Sequence, residues 1–426
     1  MKKTRPVHPN MLSQILLEMK PGMLIVSVLI TVSGLITCSF ALQKANTVNW
    51  KHLSTVKGDL PAPNAGTQQT SSIVCDIDKD GVNDFVITER TKAPSVVWYR
   101  RGSTGWTKYV VDDQALHIEA GADFCDIDAD GDLDIVFGGD SRSNQLWWWE
   151  NPYPKFRPKT PWKRHEIKNF GGKKHHDQMF GDFDGDGRTE LVFWNQGARK
   201  LYIAEIPKNP KKAGNWQCTE IYSWSKDSEM EQRGTYPGFK GINEHEGLAK
   251  ADIDGDGKLD IVGGGRWFKH NGGTSYTPNI IDAGYAFSRS AAGQLIKGGR
   301  PEVILVVGDG QAPLIMYEWK KGTWVSKKLI EEIDCGHSLA LLDFNGDGNL
   351  DIWVAEMRLG GRNPDAKNLI LLGDGKGNFK ITQVSTGIAL HESKIADLDG
   401  DGDYDILGKP YGWETPRLDI WLNQSR

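Results

Sequence analysis

Six short segments of this 426-residue chain repeat one arrangement of carboxylates, D-x-D-x-D-G-x-x-D. They are Asp76, Asp78, Asp80 and Asp84; Asp126, Asp128, Asp130 and Asp134; and Asp182, Asp184, Asp186 and Glu190. The pattern returns as Asp252, Asp254, Asp256 and Asp260; Asp343, Asn345, Asp347 and Asp351; and Asp397, Asp399, Asp401 and Asp405. Three side-chain oxygens at alternate positions, a glycine for the sharp turn and an acid at position nine offer a hard cation a near-complete oxygen shell. That is calcium chemistry, and up to six structural Ca²⁺ ions are expected. Mg²⁺ suits the loops less, because it gives up its waters reluctantly. Left bare, so many clustered acids would repel one another. The competing reading is a set of Asx turns that need no ion.

A second group of residues has a different chemistry. His176, His337 and His391 each stand six residues before an acidic motif, His245 seven before and His117 nine before. Acids adjoin them at Glu119, Asp177, Glu246 and Glu392. A further set, Arg142, Arg199, Arg266, Arg358, Arg362, Lys409, Tyr411 and Trp413, falls in the turns that follow the acidic loops. Histidine, arginine, tyrosine and acids converging on a concave face would form a default active site. Taken singly, a histidine at such a position is as well explained by hydrogen bonding between repeats. The five together favour a functional funnel. The expected catalytic set is His176, His245, His337, His391, Arg266, Arg358 and Tyr411, with His117, Arg142, Lys409 and Trp413 binding substrate. Three or four of the histidines are also candidates to hold one Zn²⁺ or another divalent transition metal.

Both groups must be positioned by a repeat. The acidic motifs start 50, 56, 70, 91 and 54 residues apart, and the long interval hides a degenerate copy at Gln294 that keeps the closing acid, Glu302. Seven units result. A strand led by an aromatic recurs independently at Trp106, Trp162, Trp216, Tyr276, Trp324 and Phe379, and its seventh copy, Trp50, precedes the first motif. The chain ends one strand short of a full unit. The displaced strand near Trp50 therefore predicts an all-β seven-bladed propeller of four-stranded blades, closed by its N-terminal strand so that no sheet edge is exposed. Strand one is innermost in such a ring. The histidines at its start then lie on the face opposite the acidic loops at its end.

The first 41 residues read as a secretory signal, with Lys2, Lys3, Arg5 and Lys20 before an uncharged apolar run and small residues ending at Ala41. The alternative is an uncleaved helical anchor. Residues 42–426 form the propeller, secreted or periplasmic. Cleavage removes four basic groups and one acid and moves the net charge from −5 to −8. This balance excludes the basic footprint of a nucleic-acid binder. Cys75, Cys125, Cys218 and Cys335 remain, as buried thiols or as disulfides.

The acidic loops with their flanking strands resemble FG-GAP or VCBS repeats of integrin α-type propellers, which implies the fold and the calcium but no particular activity. Blade segments such as WWWENPYP and HEGLAKADIDGDGKLDIVGGGRWF are similar to the propeller domain of aldos-2-ulose dehydratase, and more distantly to propeller polysaccharide lyases. That resemblance implies a carbohydrate substrate and β-elimination, by a lyase or dehydratase, with metal assistance as one variant. The alternatives are a non-catalytic glycan-binding or adhesive propeller and a glycoside hydrolase using two of Glu119, Glu246 and Glu392. A monomer is expected, with no nucleic acid and no membrane as partner after signal cleavage. No phosphate loop, Ser-His-Asp order or Cys-based zinc spacing is present.

Overall fold

The computed structural model describes residues 48–225 and 244–425. Residues 1–41, read above as a signal, and most of the connection that follows Ser223 lie outside the described residues. Seven four-stranded antiparallel sheets make up the molecule. Six are built from consecutive strands, the first being Ser72–Cys75, Asp84–Thr88, Val96–Gly102 and Gly105–Asp112. The seventh joins the two ends of the chain. Trp50–Ser54 pairs antiparallel with Asp419–Asn423, in register from Trp50 opposite Asn423 to Ser54 opposite Asp419. This is the predicted closure, and it leaves no blade short of a strand.

The core lies between blades. Trp147 and Trp149 of the run LWWWE pack with Ile73, Val86 and Trp98 of blade one. Trp148 faces the other way, among Phe180, Leu191 and Phe193 of blade three. The period of two along a strand thus sends alternate tryptophans into successive inter-blade layers. No helix among the described residues is long and apolar enough to cross a membrane. The four cysteines among the described residues are free thiols, all raised in pKa by burial, Cys125 and Cys218 to about 11.

Innermost strands of neighbouring blades touch around the axis. Gly121 shows how closely: at φ +93° it lies against the backbone of Asp177, where a Cβ would approach the Asp177 Cα to 2.3 Å. The starts of seven strands therefore meet at one end of a narrow channel.

Candidate functional site

The acidic loops lie at the outer ends of the innermost strands, opposite the histidines, and their oxygens divide the labour by position. The first Asp accepts hydrogen bonds from its own loop, as Asp126 does from the N–H groups of Asp130 and Gly131 at 3.1 and 3.0 Å. The ninth residue ties the loop to the third strand: Asp134 accepts from Ile127 N at 3.1 Å and Asn151 N at 2.8 Å. Asp260, Asp351 and Asp405 repeat this clamp. In the degenerate blade, Glu302 still accepts from Leu295 N and Ile296 N, both at 2.9 Å. An acid kept where the rest of the loop is lost marks position nine as a backbone clamp in its own right.

Five groups could hold a metal ion, with candidate ligand atoms all within 4.8 Å of one another. They are Asp76/Asp78/Asp80, Asp126/Asp128/Asp134, Asp182/Asp184/Glu190, Asp252/Asp254/Asp260 and Asp397/Asp399/Asp405. Four of these groups use positions one, three and nine, and position five also caps its own turn, as Asp186 does for Arg188 N at 2.9 Å and Asp80 for Val82 N at 3.0 Å. In the loop that starts at Asp343, the Asn345 amide donates to Asp347 at 3.2 Å. The donor set fits calcium on a further observation. Asp78, Asp254 and Asp399, all at position three, each bury an Oδ1 with no hydrogen-bond partner, a cost that a hard cation removes.

At the opposite end is a cavity of about 290 Å³, lined by His176, His337, His391 and Tyr411 together with Arg90, Glu119, Glu246 and Asp309. The sequence reading placed the first four here. It missed Arg90 and Asp309, although both follow the second strand of their blades, the same turn that pointed to Arg142 and Arg266. His176 is held between two carboxylates, Nδ1 to Asp177 at 2.9 Å and Nε2 to Glu246 at 3.1 Å. Burial opposes its charge, but Glu246 and Asp177 outweigh burial and carry its pKa up to about 9. It is an imidazolium rather than a neutral base. Burial opposes the charge of His337 too, and its 3.0 Å bond to Asp309 again raises the pKa. Burial holds His391 neutral, well below the usual range.

Arg289 spans the channel. It donates to Asp177 Oδ1 of blade three at 2.6 Å and reaches Glu392 Oε1 of blade seven at 3.0 Å. Arg90 pairs with Glu119 and donates to the Tyr411 hydroxyl at 2.9 Å. Burial raises the Tyr411 pKa, so the phenol keeps its proton.

Seven predicted residues sit elsewhere. His245 is fully buried behind the funnel against Trp224 (centroids 4.0 Å) and Trp194 (5.3 Å). Gly264, at φ +60°, makes the room: a Cβ there would meet the His245 ring at 2.3 Å. Arg266 is buried beside it, bonded to His245 Nε2 at 3.2 Å and Gly264 O at 2.9 Å, and does not line the cavity. Arg358 lies over the Trp413 ring at 4.4 Å, with Arg417 on that ring at 4.6 Å, which takes Arg358 and Trp413 out of the cavity wall. His117 and Arg142 pair at 3.0 Å in an exposed contact outside it. Lys409 is buried and bonds to Gln69 O at 3.1 Å and His391 O at 2.6 Å. Among the described residues no group of three funnel ligands meets the 4.8 Å spacing of the acidic loops.

Closed blades, acidic inter-strand loops and a polar axial funnel define a repeat-built propeller with its candidate site on the axis. The FG-GAP-like repeat pattern matches residues 76–137, 126–193, 182–263 and 343–408, more than half of the chain, and the protein belongs to that family. Among solved structures it is similar to BBS1N in complex with ARL6DN, at 11% identity over 88% of this chain and 96% of that one, TM-score 0.50. It is also similar to the V. cholerae biofilm matrix protein Bap1, at 10% identity over 84% and 88%, TM-score 0.47. AofleA from Arthrobotrys oligospora matches at 11% identity over 80% and 91%, TM-score 0.40. These likenesses speak to the fold alone. A search of curated proteins finds no match. The comparisons do not carry the likeness to aldos-2-ulose dehydratase.

Proposed function

We propose that the protein is an exported, calcium-stapled propeller that acts on a uronate-containing carbohydrate by β-elimination in the axial funnel. One observation carries this reading: a neutral histidine, a cationic histidine and a protonated tyrosine face one cavity in ring contact. His337 lies 4.6 Å from His391, and His391 lies 5.0 Å from Tyr411, between ring centroids. Environments that push titratable groups apart are how a site assigns acid and base at one pH.

The buried Lys409 explains the base. Burial drives its pKa well down, toward the free amine. A neutral amine donates two N–H groups, to Gln69 O and His391 O, and accepts Nδ1–H of His391 at 3.3 Å. The Nε2 lone pair of His391 is then free to take the proton on the carbon next to the uronate carboxylate. Arg90 and the His337 imidazolium neutralise the charge that builds on that carboxylate. Tyr411 gives its proton to the glycosidic oxygen as the C–O bond breaks and the C=C bond forms. Calcium at the five acidic groups holds loop carboxylates together and takes no part in this step.

The product absorbs in the ultraviolet. His391→Gln and Tyr411→Phe should each slow its formation by about 10²-fold or more, with the unfolding transition retained. No absorbing product from pectate, alginate or glycosaminoglycan chains would sink the elimination reading. A second reading rests on Glu246, raised by burial, and Asp309, lowered by His337. Two carboxyls shifted in opposite directions suit a glycoside hydrolase, which would release reducing ends without absorbance. Binding without turnover would point to a glycan-holding module.

A further inference from the structure

A second cleft opens beside the funnel. Its volume is about 310 Å³, and Lys173, Lys174, Gln196 and Arg199 line it with Ser141 and Glu244. Ser141, Lys174 and Glu244 also line the funnel, so the two cavities meet there. Glu244 neutralises Lys174 at 2.6 Å. Lys173 and Arg199 have no carboxylate partner among the described residues and leave the cleft with two uncompensated cations. In a protein of net charge −5 that is a local inversion of sign. Arg199 is held at φ +55° in the turn between two strands of blade three, and Lys173 sits just before the innermost strand, His175–Gly181. Both are placed by the blade framework rather than by a long loop.

We propose that this cleft is a second subsite, which takes the acidic group of a neighbouring sugar, so that the ligand is an anionic oligosaccharide of at least two units. The proposal rests on the funnel reading above, and its chemistry is separate. The funnel surrounds the reacting unit with paired, buried groups. The cleft offers unpaired, partly exposed cations that attract a carboxylate or sulfate without reacting. A guanidinium beside an ammonium suits such a group, because arginine binds planar oxyanions through two parallel N–H bonds.

The test is calorimetric titration of the full chain with trigalacturonate, trimannuronate and triguluronate, with galacturonate as the single unit and maltotriose as the neutral control. Lys173→Ala/Arg199→Ala alters one exposed and one half-buried position and should keep the native unfolding transition. We expect it to weaken the best trisaccharide about tenfold, the effect of two partly exposed ion pairs, and to leave galacturonate unchanged. It should also flatten the salt dependence of trisaccharide binding. Equal trisaccharide affinity in the double variant overturns the subsite, as does maltotriose binding as tightly as the acidic trisaccharides. Failure of all three acidic trisaccharides to bind overturns it too. Trisaccharide binding that the variant weakens, with no absorbing product from the wild type, would keep the subsite and remove the elimination.

Discussion

The two ends of the propeller are built on opposite plans. At the acidic end each carboxylate serves its own neighbourhood: Asp252 accepts from Gly255 N and Gly257 N, three and five residues on. At the funnel end partners come from different blades, and Arg289 and Asp177 are 112 residues apart in the chain. The first plan can be copied from blade to blade, because a nine-residue segment contains most of it. The second exists once, because it needs blades three, five and seven in the same place. Repetition here marks what holds the molecule, and departure from repetition marks where it can do something particular.

Removing calcium attacks the copied end and should have the largest effect. An ion bound only by the folded state contributes about 2.7 kcal/mol at a hundredfold excess over its Kd. Five groups together should then lower the unfolding midpoint by far more than a single substitution does. Thermal unfolding in calcium and in chelator measures it, and coincident curves would mean that the Asx-type hydrogen bonds suffice alone.

Arg289→Met breaks the funnel end. It removes the cation that Asp177 and Glu392 share and leaves them buried with only His176 and Lys394 beside them, a loss of about 3–5 kcal/mol. Urea denaturation in calcium reads this directly. A change below about 1 kcal/mol, the worth of an exposed ion pair, would show that the channel admits enough water to solvate both acids.

The smallest effect sharpens the comparison by pH. The pKa of His176 is raised in the fold to about 9, so its contribution is fully present below its ordinary value near 6.5 and is lost as pH rises through about 9. His391 is shifted the other way, so its contribution is present above about 6.5 and fades as pH falls below it. Stability measured from pH 5 to 10 should lose part of its alkaline decline in His176→Gln. An unchanged alkaline limb would remove the carboxylate clamp on His176.

Legibility followed the same division. The carboxylate spacing, the alternation of Trp147, Trp148 and Trp149 and the displaced strand at Trp50 are relations within one segment or between copies of it. Linear order is enough to reveal them. His176, His337, His391 and Tyr411 were found because position in the repeat places a residue at the channel mouth. Position does not say which way a side chain turns. His245 shares the register of the others, yet Gly264 lets its ring fold back onto Trp194 and Trp224, and Arg266 follows it.

By itself, then, the sequence determined the number of blades, the strand that closes the ring, the acidic loops and the end of the channel where histidines gather. Each depends on a period of two along strands, on a nine-residue spacing or on self-similarity. Only the tertiary structure decided which side chains share the cavity, which histidine carries a charge and which arginine spans the axis. Closure brings strand starts from distant parts of the chain within hydrogen-bonding distance. The charge of each group is then set by neighbours that the linear order keeps far apart.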